Sequence, residues 1–189
     1  MRAHATFGLA LLMVLGLTMT AAAEESTVDR FTFARPPAPE STVDPDRLSL
    51  DIDRWSTDEE RDHLIATIAE SGVETLLTAF RDVSRVGTLR WPGGLEYTVR
   101  YARRENRDDG SEIVLVVDRP LWMWWDSTAG STPYPFTVVQ IRLDEKHMGE
   151  GRVSRGVTVS SDNTFGAVLS DFAQAPAVIA DVRREADVE

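Results

Sequence analysis

The sequence predicts an α+β fold: a mainly antiparallel meander of about seven or eight strands, curved or barrel-like, with a two-helix insertion after the first core strand. Three observations carry that expectation. Leu48, Leu50 and Ile52 alternate with Ser49, Asp51 and Asp53, the period of a half-buried strand. A helical segment with its own start and stop signals follows immediately. From Arg85 onward, short runs rich in β-branched and aromatic residues are separated by turn residues, as in strands joined hairpin to hairpin. Such a series closes into a barrel or packs as two sheets, and the pattern is compatible with both.

Residues 1–23 read as a secretory signal. Arg2 is followed by a 13-residue apolar run, Phe7 to Met19, and then by Ala21-Ala22-Ala23 as the small-residue cleavage pattern. The run is too short for a membrane span, which needs about 20 residues. No second stretch approaches that length, so no membrane span is expected after cleavage and the chain is expected to be periplasmic or secreted. Residues 24–45 carry Pro36, Pro37, Pro39 and Pro45 and read as an extended arm, within which Val28 to Phe33 would add an edge strand. Residues 46–189 are expected to form a single domain.

After the opening strand, Thr57 followed by Glu60 makes a capping box, and Asp58 and Glu59 place negative charge at the positive end of the helix dipole. Leu64, Ile65 and Ile68 mark its apolar face. Ser71-Gly72 ends this helix, and a second follows with Leu76, Leu77, Phe80 and Val83 at helical spacing. Strands are then expected at Val86–Arg90, Leu95–Ala102, Ile113–Val117, Phe136–Leu143, Arg152–Ser160, Ala167–Phe172 and Val178–Val182. Tyr97, Val99 and Tyr101 share one face of the second of these. Ile113–Val117 is continuously apolar and suits a strand covered on both faces. Pro92-Gly93-Gly94, Asn106–Gly110, Glu145–Gly151, Ser161–Asn163 and Ala175-Pro176 supply the turns.

The segments Arg54 to Asp62, Arg85-Val86-Gly87, Tyr101-Ala102-Arg103, Asp118-Arg119-Pro120, Tyr134 to Thr137 and Gly149-Glu150-Gly151 resemble a group of uncharacterised exported bacterial proteins. The resemblance is best over residues 48–151. It implies export and a shared fold, and carries no activity, cofactor or catalytic residue.

Composition excludes several function classes. A net charge of -11 argues against nucleic-acid binding, which needs a basic face. The absence of cysteine excludes disulfides, zinc–thiolate sites and a cysteine nucleophile. His63 lies in the first turns of the capped helix and His147 in a turn. Neither has a nucleophile or orienting acid nearby in sequence. No G-x-S-x-G elbow and no S-x-x-K is present, and Gly149-Glu150-Gly151 lacks the glycine pattern of a phosphate cradle. Asp44, Asp46, Asp51 and Asp53 cluster, but no calcium-loop glycine accompanies them. Asp51 and Asp53 read as solvated charge that blunts edge pairing. No catalytic residue, cofactor or metal is therefore expected.

The most distinctive segment is Pro120 to Asp126, which holds Trp122, Trp124 and Trp125 directly after a buried strand. Indole rings offer apolar area and one donor, for packing or for ligand stacking. Trp122, Trp124 and Trp125 are the candidate ligand-binding residues, against the alternative that they cap the core. Arg100, Arg103, Arg104 and Arg107 form the basic concentration and are expected to pair with the acidic surplus rather than to meet an anionic ligand. The function expected is a non-catalytic exported binding or interaction module, its partner a small molecule or an envelope protein. The alternative is a hydrolase-type enzyme with a site assembled from distant residues.

Overall fold

The computed structural model describes residues 27–34, 47–80, 82–90, 96–121, 135–154, 158–170 and 177–185. Among them, eight strands close into an antiparallel barrel: β1 (Asp29–Ala34), β2 (Arg47–Ile52), β3 (Gly87–Arg90), β4 (Glu96–Arg107), β5 (Gly110–Val117), β6 (Thr137–Asp144), β7 (Met148–Val153) and β10 (Ala177–Glu185). Each pairs with the next in this order, and β10 returns to β1. The remaining two, β8 (Thr158–Asp162) and β9 (Gly166–Ser170), form a separate hairpin between β7 and β10. The meander and its α+β class match the pattern, and closure answers the question left open between barrel and sandwich.

Helix α1 spans Asp58–Ser71 with the expected box: the Glu60 amide donates to Thr57 Oγ1 at 3.2 Å, and the Thr57 amide donates to Glu60 Oε2 at 3.0 Å. Gly72 ends it at φ 85°, a backbone that side chains rarely adopt. The second helix is shorter than its spacing suggests. A 3-10 turn at Val73–Thr75 leads into a single turn, α2 (Leu76–Ala79). Val73, Thr75 and Thr78 are β-branched and weak helix formers, and burial of Leu76 and Phe80 holds this stretch against the second core.

Several expected boundaries move, each for a visible reason. The arm segment expected at an edge, Val28 to Phe33, supplies β1, which has neighbours on both sides and closes the barrel. The expected strand Arg152–Ser160 is two strands in different sheets, separated after Val153. The turn expected over Glu145–Gly151 is tighter, because Asp144 Oδ1 accepts the amides of Lys146 and Met148 and lets β7 begin at Met148. Gly149 belongs to that strand. A side chain there would collide with the Arg142 carbonyl oxygen of the neighbouring strand. Asp51 is 4% exposed rather than solvated. Strand β2 is not an edge, so its neighbours bring Arg30 (2.6 Å) and Arg90 onto that carboxylate.

Alternation along the barrel sorts side chains into two cores. The inward set, including Phe31, Leu50, Ile113, Leu115, Ile141 and Val182, fills the barrel. Eight strands leave room for little more than side chains, so this interior is a packed core. The outward faces of β4, β5 and β6 carry Tyr101, Val114, Val116 and Val138, and α1, α2 and the β8–β9 hairpin cover them. Leu64 of α1 is fully buried there, contributing about 1.5–3 kcal/mol, while Ile65 is only half-buried. The continuous apolar run of β5 is thus covered on both faces.

Two bulges reset the alternation. In β4 the register shifts between Val99 and Tyr101, leaving Arg100 as the extra residue. Tyr101 therefore turns outward into the second core instead of sharing a face with Val99, and its hydroxyl donates to the Phe165 carbonyl at 2.7 Å. In β10 the register shifts between Ile179 and Val182, where Asp181 takes φ 53°. Arg47 holds this bulge by donating to Asp181 Oδ2 (2.8 Å) and to the Asp181 carbonyl (3.0 Å).

Candidate functional site

The bulges determine what reaches the interior at one end of the barrel, the end from which the helical insertion leaves. Without the extra residue in β4, Arg103 and Glu105 would point inward; with it, Ala102 and Arg104 do. Without the bulge in β10, Asp181 and Arg183 would point inward; with it, Val182 and Arg184 do. One arginine from each bulged strand is thereby turned into the mouth. Bulges near functional sites commonly re-aim side chains in this way.

Both arginines meet a single carboxylate. Asp29, at the start of β1, has a side chain only 3% exposed. Its Oδ1 accepts from Arg184 Nε at 2.5 Å. Its Oδ2 accepts from Arg104 Nη1 at 3.2 Å and from Trp55 Nε1 at 3.1 Å. The Arg104 guanidinium also lies over the Trp55 ring, 5.0 Å from its centroid. A carboxylate taken out of water requires such saturation, since an unpaired buried charge is costly. The two guanidiniums keep 28% of their side-chain surface exposed. They retain N–H groups with no partner among the described residues, notably both Nη of Arg184.

A cavity of about 460 Å³ opens above this pair. Phe31 forms its apolar floor, and Arg104, Arg184, Asn106, Ser111 and His147 line it. The rim carries Asp108 from the β4–β5 turn and Asp144 and Glu145 from the β6–β7 turn. His147 sits at φ 61°; its carbonyl accepts from the Arg184 amide at 3.0 Å, which ties the rim turn to β10. Just outside the mouth, Arg183 and then Arg47 hold the Asp181 carboxyl below the usual carboxylate range.

The four clustered arginines divide. Arg103 pairs with Asp58 (2.9 Å) and Glu105 (3.1 Å) on the outer surface, and Arg107, which also lines the cavity, pairs with Glu112 (2.5 Å). Arg100 approaches Asp118 at 3.9 Å. Only Arg104 turns inward. His63 is exposed on α1 and lies apart from the cavity. Trp122, Trp124 and Trp125, singled out from the sequence, lie outside the described residues, as do Asp44 and Asp46. Leu121, the last described residue before them, packs against the interior core. Among the described residues no group of three or more His, Asp or Glu is placed to hold a metal ion, and no helix is long and apolar enough to cross a membrane.

Sequence reasoning missed Asp29, Trp55 and Arg184. Asp29 shares the inward alternation of Phe31 and Phe33, a charge at a core position, and that was the available signal. Arg184 lies 155 residues from its partner and behind a bulge, so simple alternation assigns it to the wrong face. The chain matches no protein-family model, no curated protein and no solved structure.

Proposed function

We propose that this chain is an exported, non-catalytic binding module that holds a small molecule in the mouth of its barrel. The observation that carries the proposal is the pair of bulges, which turn Arg104 and Arg184 onto one buried carboxylate beneath an open cavity. Burying a carboxylate against two part-exposed guanidiniums is a poor route to stability, because apolar side chains of similar size do as well or better. A barrel that needed only a sealed end would gain more from leucines there. The cavity lies within the size range of small-molecule sites, and around its Phe31 floor the lining is mostly polar and charged.

Asp29 already accepts three hydrogen bonds, which makes it an anchor for the arginines. Outward positions of β7 carry Glu150 and Arg152, charges that favour water around the barrel and fit an exported soluble chain. The leader at residues 1–23 and the resemblance to exported proteins support the location.

The test is an amide NMR screen of the chain beginning at Glu24 against small molecules of mixed class. Binding at the mouth shifts the amides of Arg104, Ser111, His147 and Arg184, and a Trp124→Ala chain responds identically. Shifts that spare these amides and are lost in Trp124→Ala, or no shifts with any compound, would refute this reading.

A further inference from the structure

We infer that the ligand is a small organic monocarboxylate whose remainder is neutral or cationic, and that dianions are rejected. The inference rests on the mouth being the binding site and goes on to name the ligand's chemistry. A guanidinium has five donors in a planar fork that matches a carboxylate. Arg184 spends Nε on Asp29 and Arg104 spends Nη1, which leaves the Nη1/Nη2 fork of Arg184 beside the cavity. Two guanidiniums against one carboxylate leave one uncompensated positive charge under the cavity floor, and the Ser111 hydroxyl and the Asn106 amide add neutral donors around it.

The rim has the opposite sign. Asp108, Asp144 and Glu145 line the cavity from its two turns, and none of them forms an ion pair among the described residues, whereas Arg107, which also lines it, is paired with Glu112. Lys146, between Glu145 and His147, does not line the cavity. Asp108 lies in the β4–β5 turn, four residues beyond Arg104. A ligand that places its carboxylate on the arginines points its far end toward these acids, which line the same cavity. A second negative charge at that end meets like charge, whereas a methyl or ammonium group does not. Floor and rim together select by sign along one axis.

Three probes of nearly equal length separate the possibilities: pentanoate, 5-aminopentanoate and glutarate, with inorganic phosphate as the competing anion. Calorimetry at low salt is expected to rank 5-aminopentanoate at or above pentanoate, and both roughly tenfold or more above glutarate and phosphate. Arg184→Lys keeps the charge, and with it the fold, but removes the fork; it should weaken pentanoate roughly tenfold. Asp108→Asn combined with Glu145→Gln should raise glutarate affinity toward that of pentanoate, with a smaller gain for pentanoate itself. Glutarate or phosphate binding as well as pentanoate, or an Arg184→Lys chain with undiminished affinity, would overturn the assignment. If none of these probes binds while another compound shifts the mouth amides, the ligand class is wrong and the binding module stands. If nothing shifts them, both fall.

Discussion

Asp29 is the residue on which the mouth depends. Replacing it with asparagine keeps its shape and removes the charge that two guanidiniums share. Breaking a buried ion pair typically costs 3–5 kcal/mol; the arginines are partly exposed, so about 2–4 kcal/mol is expected in urea unfolding. Tyr101 plays the corresponding part in the second core. Burial pushes its hydroxyl pKa well above the ordinary value, against the nearby Arg103 and Arg61, which pull it down. The protonated form is thus favoured in the folded chain. Its contribution is complete below pH about 10, the unfolded value, and is lost as the pH rises beyond that toward the folded value. A pH series of thermal unfolding should show alkaline destabilisation that Tyr101→Phe diminishes, while at neutral pH the same variant loses about 1–3 kcal/mol through the orphaned Phe165 carbonyl. Gly149→Ala has nowhere to put its methyl group and should cost about 1–3 kcal/mol, measured the same way.

Among the elements, α1 was the most legible, because a capping box and an acidic first turn are local signals that tertiary context seldom overrides. Thr57→Ala should cost about 1 kcal/mol. The Arg54 guanidinium holds the Glu60 carboxyl below its ordinary range, with the Thr57 amide adding to the effect. That contribution is present above the unfolded carboxyl pKa and disappears as the pH falls through the lowered folded one, so acid unfolding of Glu60→Gln should begin from a lower plateau and show a shallower loss. Strand existence was legible from alternation, and β5 was legible even to its two covered faces. Bulges were not. One extra residue in β4 and one in β10 leave composition unchanged and invert every later assignment of side, which is why Tyr101 was placed with Val99 and why Arg184 carried no signal.

For the whole molecule, closure is the organising event. Strand β1 lies within a proline-bearing stretch whose weak patterning suggested an arm, and its role appears only when β2 and β10 flank it. Pairing between the first and last strands is non-local, and no window of sequence contains it. Closure brings Asp29 to Arg184, fills the interior and leaves one end as a charged cavity. The tryptophan segment, the strongest compositional feature, drew attention away from the mouth, which is assembled from four separated segments, each ordinary alone. The arginine cluster illustrates the same limit. Its pairing with acids was legible from net charge, and the inward turn of Arg104 was not.

The account is tested most directly by the arginine side-chain Nε–H spectrum of the folded chain. Arg184 Nε should give a slowly exchanging, displaced signal, because it donates to a carboxylate buried in the barrel, and Asp29→Asn should return it to the position of Arg142, an exposed arginine on the outer wall. An Arg184 signal that already exchanges as fast as that of Arg142, or that is indifferent to Asp29→Asn, would mean that the second bulge does not turn this side chain inward.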